Sequence, residues 1–150
     1  MKLADVVDRG PQIRDRDVHG FESLVGCTLP GDYRDFLLAT NGGEPHAGDG
    51  WFHIGSGNKQ RWSRVRFFYG LKRADTEHWL LAASWTCFRT EIPDHSIPIA
   101  CDVYGNQIVL EVVGRRKGRV GFWSHESDEP IRELAKSFTE FLRILQTEPL

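Results

Sequence analysis

Cysteine is scarce in this sequence, and Cys27, Cys87 and Cys101 show no C-x-x-C spacing. An odd number of cysteines without such spacing argues against a disulfide framework and against a zinc knuckle. Long apolar runs are also missing, because charged residues interrupt every apolar stretch near the amino terminus. We therefore expect a soluble, cytoplasmic protein in a reducing compartment, with no signal peptide and no membrane span.

A surplus of positive charge is lacking as well, since 19 Lys and Arg face 21 Asp and Glu, for a formal net charge of -2. A chain so balanced has no general positive field with which to bind nucleic acid. The local basic cluster at 115–119 is expected to be a solvated hairpin turn rather than a phosphate site. The length of 150 residues predicts one domain over 1–150, large enough for a core without cross-links.

Motifs for catalysis and metal binding are absent too. The pair His125-Glu126 lacks the second histidine of H-E-x-x-H, and no G-x-S-x-G elbow is present. His46 and His53 flank Asp49 in a glycine-rich loop, which would hold a zinc ligand set poorly. Cys101 lies in an apolar run and is expected to be a buried packing residue rather than a nucleophile. We expect no enzyme, no metal and no cofactor.

Four helices are predicted from apolar spacing and capping residues. The first ends at Gly26, and the second begins at Pro30 and stops at Asn41-Gly42-Gly43. Four positions line one face of the second helix: Tyr33, Phe36, Leu37 and Thr40. The third helix, capped by Asp75 or Thr76, carries on one side Trp79, Ala82, Ala83 and Thr86. The fourth begins with the capping box Ser137-Phe138-Thr139-Glu140.

Two segments stay open at this point. Residues 1–16 form either a short helix or a frayed arm, and Ile131, Leu134 and Ala135 either extend the last helix backwards or form a separate turn.

Strands are predicted at 65–69 and, as a meander with glycine turns, at 97–101, 107–113 and 119–123. In the turn between 97–101 and 107–113, Gly105-Asn106 is expected to supply positive φ angles. Pro98 argues that its strand lies at an edge or begins just there. The order of helices and strands predicts an α+β fold, with helices packed on an antiparallel β-meander.

Several blocks of the chain together resemble the SUKH superfamily, the Smi/Knr group. They are Leu29-Pro30, Asp32-Tyr33, Phe36-Leu37-Leu38, Asn41-Gly42-Gly43, Ile97-Pro98-Ile99-Ala100, Asp102, Gly105-Asn106, Phe122-Trp123, His125-Glu126, Ser137-Phe138 and Phe141-Leu142. They occur in the family's order over about residues 21–146. The resemblance implies a binding role, because bacterial members look like immunity proteins that neutralise toxins, and others look like regulatory interaction domains.

Five residues are candidates for partner contact. Trp51 and Trp62 lie in a glycine-rich region, where large aromatics either anchor a loop to the core or contact a partner. Glu126, Asp128 and Glu129 form an acidic turn that either simply faces water or steers a basic toxin such as a nuclease. For the signature positions at 41–43 and 105–106, we expect structural roles in stopping a helix and turning the chain.

Three hypotheses about function follow. A protein that neutralises a cognate toxin, a nuclease or another polymorphic toxin domain, predicts a toxin gene beside its own. A regulatory or scaffold interaction domain predicts no such neighbour. An enzyme predicts a deep polar pocket with titratable groups of shifted pKa, which no spacing in the sequence supports. We expect a monomer, or a weak homodimer formed through an exposed strand edge.

Overall fold

The computed structural model describes residues 1–55, 61–73 and 80–149. Within these ranges the helices are α1 (Asp15–Val25), α2 (Gly31–Thr40), α3 (Leu81–Phe88) and α4 (Phe138–Ile144). The strands are β1 (Val6–Val7), β2 (Glu44–Pro45), β3 (Trp51–Ile54), β4 (Arg61–Phe68), β5 (Ser96–Asp102), β6 (Gln107–Glu111), β7 (Val120–Trp123) and β8 (Arg132–Ala135). The predicted α+β class is confirmed. Among the described helices, none has the length and apolar character needed to cross a bilayer.

Six strands form one antiparallel sheet in the order of the chain, from β3 to β8, and β1 pairs with β2 in a second, small sheet. The predicted meander is confirmed as β5, β6 and β7, in which Ile108 lies opposite Phe122. Strands β3 and β8, which the sequence did not predict, add an edge on either side. The assignment of 131–135 to a helix or a turn is wrong, because Arg132, Glu133 and Ala135 pair with β7.

Pro98 lies within an interior strand, so the expectation of an edge strand is wrong. Strand β5 pairs with β4 on one side and with β6 on the other, and each of its residues is buried. The pairing of β5 with β6 shifts register between Pro98 and Ala100. Such an irregularity lets a proline, which lacks an N–H donor, occupy a central strand.

Aromatic rings from α2 and α4 meet rings from the sheet in the core. Tyr33 packs edge-on against Phe138 with ring centroids 5.1 Å apart, and Phe36 packs on Phe68 at 5.0 Å. All four positions of the predicted α2 face are buried. The left-handed Asn41, with a φ of 48°, ends the helix as its sequence predicts.

Helix α3 buries a different face from the one predicted. Leu81 and Ser84 are buried, whereas Ala83 and Thr86 are exposed. The Ser84 hydroxyl donates to the carbonyl oxygens of Leu81 at 2.8 Å and Pro98 at 3.2 Å, so β5 selects the buried face. The proposed cap and first aromatic of this helix lie outside the described residues: Asp75, Thr76 and Trp79.

The amino-terminal segment, left open between a helix and a frayed arm, is tied to the rest of the fold. The Met1 ammonium donates to the carbonyl oxygens of Leu142 at 2.8 Å and Leu145 at 3.0 Å. Val6 and Ile13 are buried in the core, and β1 pairs with β2. These contacts attach residues 1–13 to both helix α4 and the segment after α2.

Candidate partner-binding site

The two edge strands of the large sheet, β3 and β8, line one depression in the surface. Two adjoining clefts of about 170 Å³ and about 560 Å³ lie there, and both are lined by Gly55 and Arg132. We call them together the seam cleft. The smaller part is further lined by Ile54, Arg61, Phe122, Ser124, Glu129 and Pro130. The larger part is further lined by His53, Trp62, Glu133, Leu134, Ile144 and Gln146.

An aromatic pair forms one wall of the larger part. His53 on β3 lies directly opposite Trp62 on β4, and their ring centroids are 3.5 Å apart. Side chains directly opposite each other on neighbouring antiparallel strands contact one another and stabilise the pairing. Trp62 remains half-buried and Ile144 is 38% exposed, so apolar surface faces solvent in this part of the cleft.

Charged groups surround this apolar wall. Arg132 Nη2 lies 3.2 Å from Glu129 Oε2, and Arg119 forms an ion pair with Glu133. The hydrogen bond from Arg119 holds the pKa of Glu133 below its ordinary value, so this carboxyl is ionised at neutral pH. Arg61 is exposed and has no acidic partner within the described ranges, which leaves one cation of the cleft available to a ligand.

The structure brings two of the five candidate residues together. Trp62 lines the larger part of the seam cleft and Glu129 the smaller part. Glu126 and Asp128 are exposed in the loop after β7 but do not line the cleft. Trp51 also lies outside it: this residue is half-buried on β3, and its indole nitrogen is buried with no hydrogen-bond partner among the described residues.

His53, Arg61 and Ile144 complete the site, and sequence reasoning did not select them as contact residues. The alternation of polar and apolar residues along 61–68 was the sequence signal that could have drawn attention to Arg61. It predicts a strand, but it does not show that the strand carrying His53 pairs with it. The seven-residue spacing of His46 and His53 drew attention to metal instead. In the part of the chain that the structure describes, no three His, Cys, Asp or Glu side chains are grouped so as to hold a metal ion.

Several signature residues form a buried hydrogen-bond network beneath the β5–β6 turn. Asp102 Oδ1 accepts from the backbone N–H of Tyr104 at 2.9 Å and of Asn106 at 2.8 Å. Asp102 Oδ2 accepts from the Ser63 hydroxyl at 2.8 Å and from Asn106 Nδ2 at 3.0 Å. Asn106 Oδ1 in turn accepts from the backbone N–H of His125 at 3.2 Å. These contacts favour the expected structural role of the signature.

One detail of that turn differs from the prediction. Gly105 adopts a positive φ of 86°, whereas Asn106 does not. Asn106 is 8% exposed, and its side chain bonds to Asp102 at the end of β5 and to His125 in the loop after β7. Its amide group rather than its backbone conformation therefore explains its place in the turn.

Cys101 is buried as predicted, and burial raises the pKa of its thiol to about 11. A thiol with so high a pKa stays protonated at neutral pH and is a poor nucleophile. The basic cluster at 115–119 follows β6 as an exposed turn, in which Arg116 pairs with Glu111 at 3.1 Å.

An antiparallel meander sheet packed with helices is the architecture that the resemblance implies. The family model described as SMI1 / KNR4 family (SUKH-1) matches residues 12–144, and the chain belongs to this family. A relative in Bacillus subtilis (strain 168), "SPbeta prophage-derived uncharacterized protein YokK", is 29% identical over 149 residues, which covers 86% of this chain and 72% of that protein. The resemblance to the Smi/Knr group is thereby confirmed.

Proposed function

We propose that this chain is a non-catalytic binding domain that neutralises a cognate toxin by direct contact, and that the seam cleft holds the contact. Family membership supports a binding role, because bacterial members of this family look like immunity proteins. The toxin would be a nuclease or another polymorphic toxin domain, bound in the cytoplasm.

The observation that carries this proposal is the position of Trp62. Its ring is held against His53 at a centroid distance of 3.5 Å, yet it lines an open cleft instead of the aromatic core. A half-exposed tryptophan that is already restrained loses little further freedom on binding, and tryptophan is enriched among residues that dominate interface energy. Charged groups at the rim, Arg61 and Glu129, are suited to setting orientation and specificity.

The direct experiment begins with the gene beside this one. A toxin domain encoded there is expressed under an inducible promoter, with and without this chain, and growth is measured together with the Kd of the purified pair. Trp62→Ala should weaken binding about 30-fold, the effect of losing a hot-spot contact of about 2 kcal/mol. The melting temperature should move by no more than a few degrees, because Trp62 is outside the core.

Tyr104→Ala is the matched control, because Tyr104 is 68% exposed and does not line the cleft. This variant should bind the toxin domain as the unmodified protein does. If both aromatic variants bind normally, the seam cleft is not the contact surface. If no neighbouring gene encodes a toxin and the chain protects no cell, a regulatory or scaffold domain becomes the better description.

A further inference from the structure

The edge of β3 is covered over part of its length by the end of the chain. Trp51 and Gln146 exchange two backbone hydrogen bonds of 3.0 Å, as residues of adjacent antiparallel strands do. The Glu148 N–H donates to the Gly48 carbonyl oxygen at 2.7 Å, which extends this contact towards the start of β3. Towards the end of β3, beyond Trp51, this backbone pairing does not continue, because the chain shortly before Gln146 forms helix α4.

The backbone of His53 therefore faces the seam cleft. Along β3, Gly50 accepts from Val65 on the β4 side, and Trp51 bonds to Gln146 on the other side. Backbone groups of successive strand residues point to opposite sides, so those of His53 point away from β4, like those of Trp51. His53 lines the larger part of the cleft, and among the residues that the structure describes none bonds to its backbone on this side. An unpaired strand edge is a template for another strand.

The side chains around this edge match the alternation of an extended segment. Arg61 and Trp62 are neighbours on β4 and point to opposite faces, and they line the smaller and the larger part of the cleft respectively. A strand added beside β3 can therefore place one side chain on the face of the sheet that carries the Trp62 ring and an adjacent one on the face that carries Arg61. The first would be apolar, since Ile144 lies across from it, and the second would be a carboxylate.

We propose that the toxin inserts an extended segment into the seam cleft and pairs with the backbone of His53, adding a strand to the exposed edge of β3. The segment carries an apolar side chain that packs on Trp62 and an acidic side chain that pairs with Arg61. This inference rests on the proposed function and specifies how its site binds. Strand addition obtains affinity from backbone hydrogen bonds and specificity from pockets for alternate side chains.

The test uses the complete chain, labelled with ¹⁵N, and the toxin domain encoded beside its gene. Exchange of the His53 amide hydrogen is followed by NMR in the free protein and in the complex. We expect exchange at His53 to slow at least about tenfold on binding, because its N–H becomes a donor in the new ladder.

A pair of variants isolates the backbone contribution. His53→Val removes the imidazole but keeps the N–H, whereas His53→Pro removes the N–H on the side that β4 does not use, where an edge strand tolerates proline. We expect His53→Pro to bind at least tenfold more weakly than His53→Val. If the proline variant fails to fold, exchange at His53 in the unmodified protein decides the question.

Unchanged exchange at His53 in a complex that does form would overturn strand addition and leave the proposed function standing. The absence of any complex would overturn both. Protection of His53 that grows with protein concentration in the absence of toxin would identify the occupant as a second copy of this chain, which also overturns the inference.

Discussion

Asn41 joins segments that are far apart in the sequence, so its replacement by alanine should destabilise the whole fold. Its side-chain nitrogen donates to the carbonyl oxygens of Pro11 at 2.9 Å and Leu71 at 2.6 Å. Its side-chain oxygen accepts from the Leu71 N–H at 2.6 Å. The residue is 2% exposed and has a φ of 48°. Water therefore cannot replace these bonds without opening the structure.

The size of the loss can be worked out from these contacts. Removing three hydrogen bonds at about 1 kcal/mol each costs about 3 kcal/mol. Alanine at a left-handed position adds roughly 1 kcal/mol, because its Cβ crowds the following carbonyl group. Asn41→Ala should thus lower the free energy of unfolding by about 4 kcal/mol, a large part of the roughly 5–15 kcal/mol typical of native domains.

Asn41→Gly is the matched control, since glycine loses the same bonds but accepts a positive φ without strain. It should cost about 3 kcal/mol, so the two variants separate the hydrogen bonds from the backbone conformation. Urea denaturation followed by tryptophan fluorescence measures both values. A loss below about 1 kcal/mol for Asn41→Ala, or a glycine variant less stable than the alanine variant, would refute this account.

Two further predictions concern surface charge and thiol reactivity. Neutralising Glu126 and Asp128 together, both exposed in the loop after β7, should lower the association rate with a basic toxin about tenfold at low salt and less at high salt. The matched control neutralises two exposed acids in the segment between α3 and β5, Glu91 and Asp94. Equal rates in both variants would rule out steering. At pH 8, a thiol reagent should modify the exposed Cys87 quickly and the buried Cys101 only on unfolding, since burial raises the pKa of Cys101 to about 11. Cys87→Ser should lose the fast phase, and a fast phase that instead disappears in Cys101→Ser would contradict this assignment.

In the proposed mode of binding, steering and docking would involve different parts of the surface. Glu129 is already paired with Arg132 at 3.2 Å, so its charge is partly compensated in place. Asp128 has no cationic partner among the residues that the structure describes. If the protein binds a basic toxin as proposed, the outer acids would attract it over about a Debye length, whereas Arg61 and Trp62 would act only after contact.

The end of helix α2 shows how far sequence reasoning reached and where it stopped. The residues that begin and end this helix, and the four residues of its buried face, were predictable from sequence. Helix capping and helical spacing depend only on residues close together in the chain. That the side chain of Asn41 also bonds to Pro11 and Leu71 was not predictable, since those segments approach it only in the folded protein. The buried face of α3 was predicted wrongly for the same reason. Contact with β5, which is distant in the sequence, decides which face of this helix is buried.

The candidate site divides in a similar way. The sequence allowed Trp62 and Glu129 to be proposed separately as contact residues, the first as an aromatic in a glycine-rich region and the second as part of an acidic turn. The two residues line one cleft because β3 and β8 form the edges of the sheet. These short strands are positioned by pairing with β4 and β7 and cannot be recognised from the periodicity of their own sequences. His53 became part of the site only through its register opposite Trp62.

The sequence by itself determined the cap of α4, the glycine and asparagine stops of α1 and α2 and the central meander, because each follows from the chemistry of a few adjacent residues. The edge strands, the Asn41 bonds and the seam cleft were decided only by the tertiary structure. Strand register and the meeting of distant side chains depend on how the whole sheet curves and packs against its helices, which no local pattern encodes.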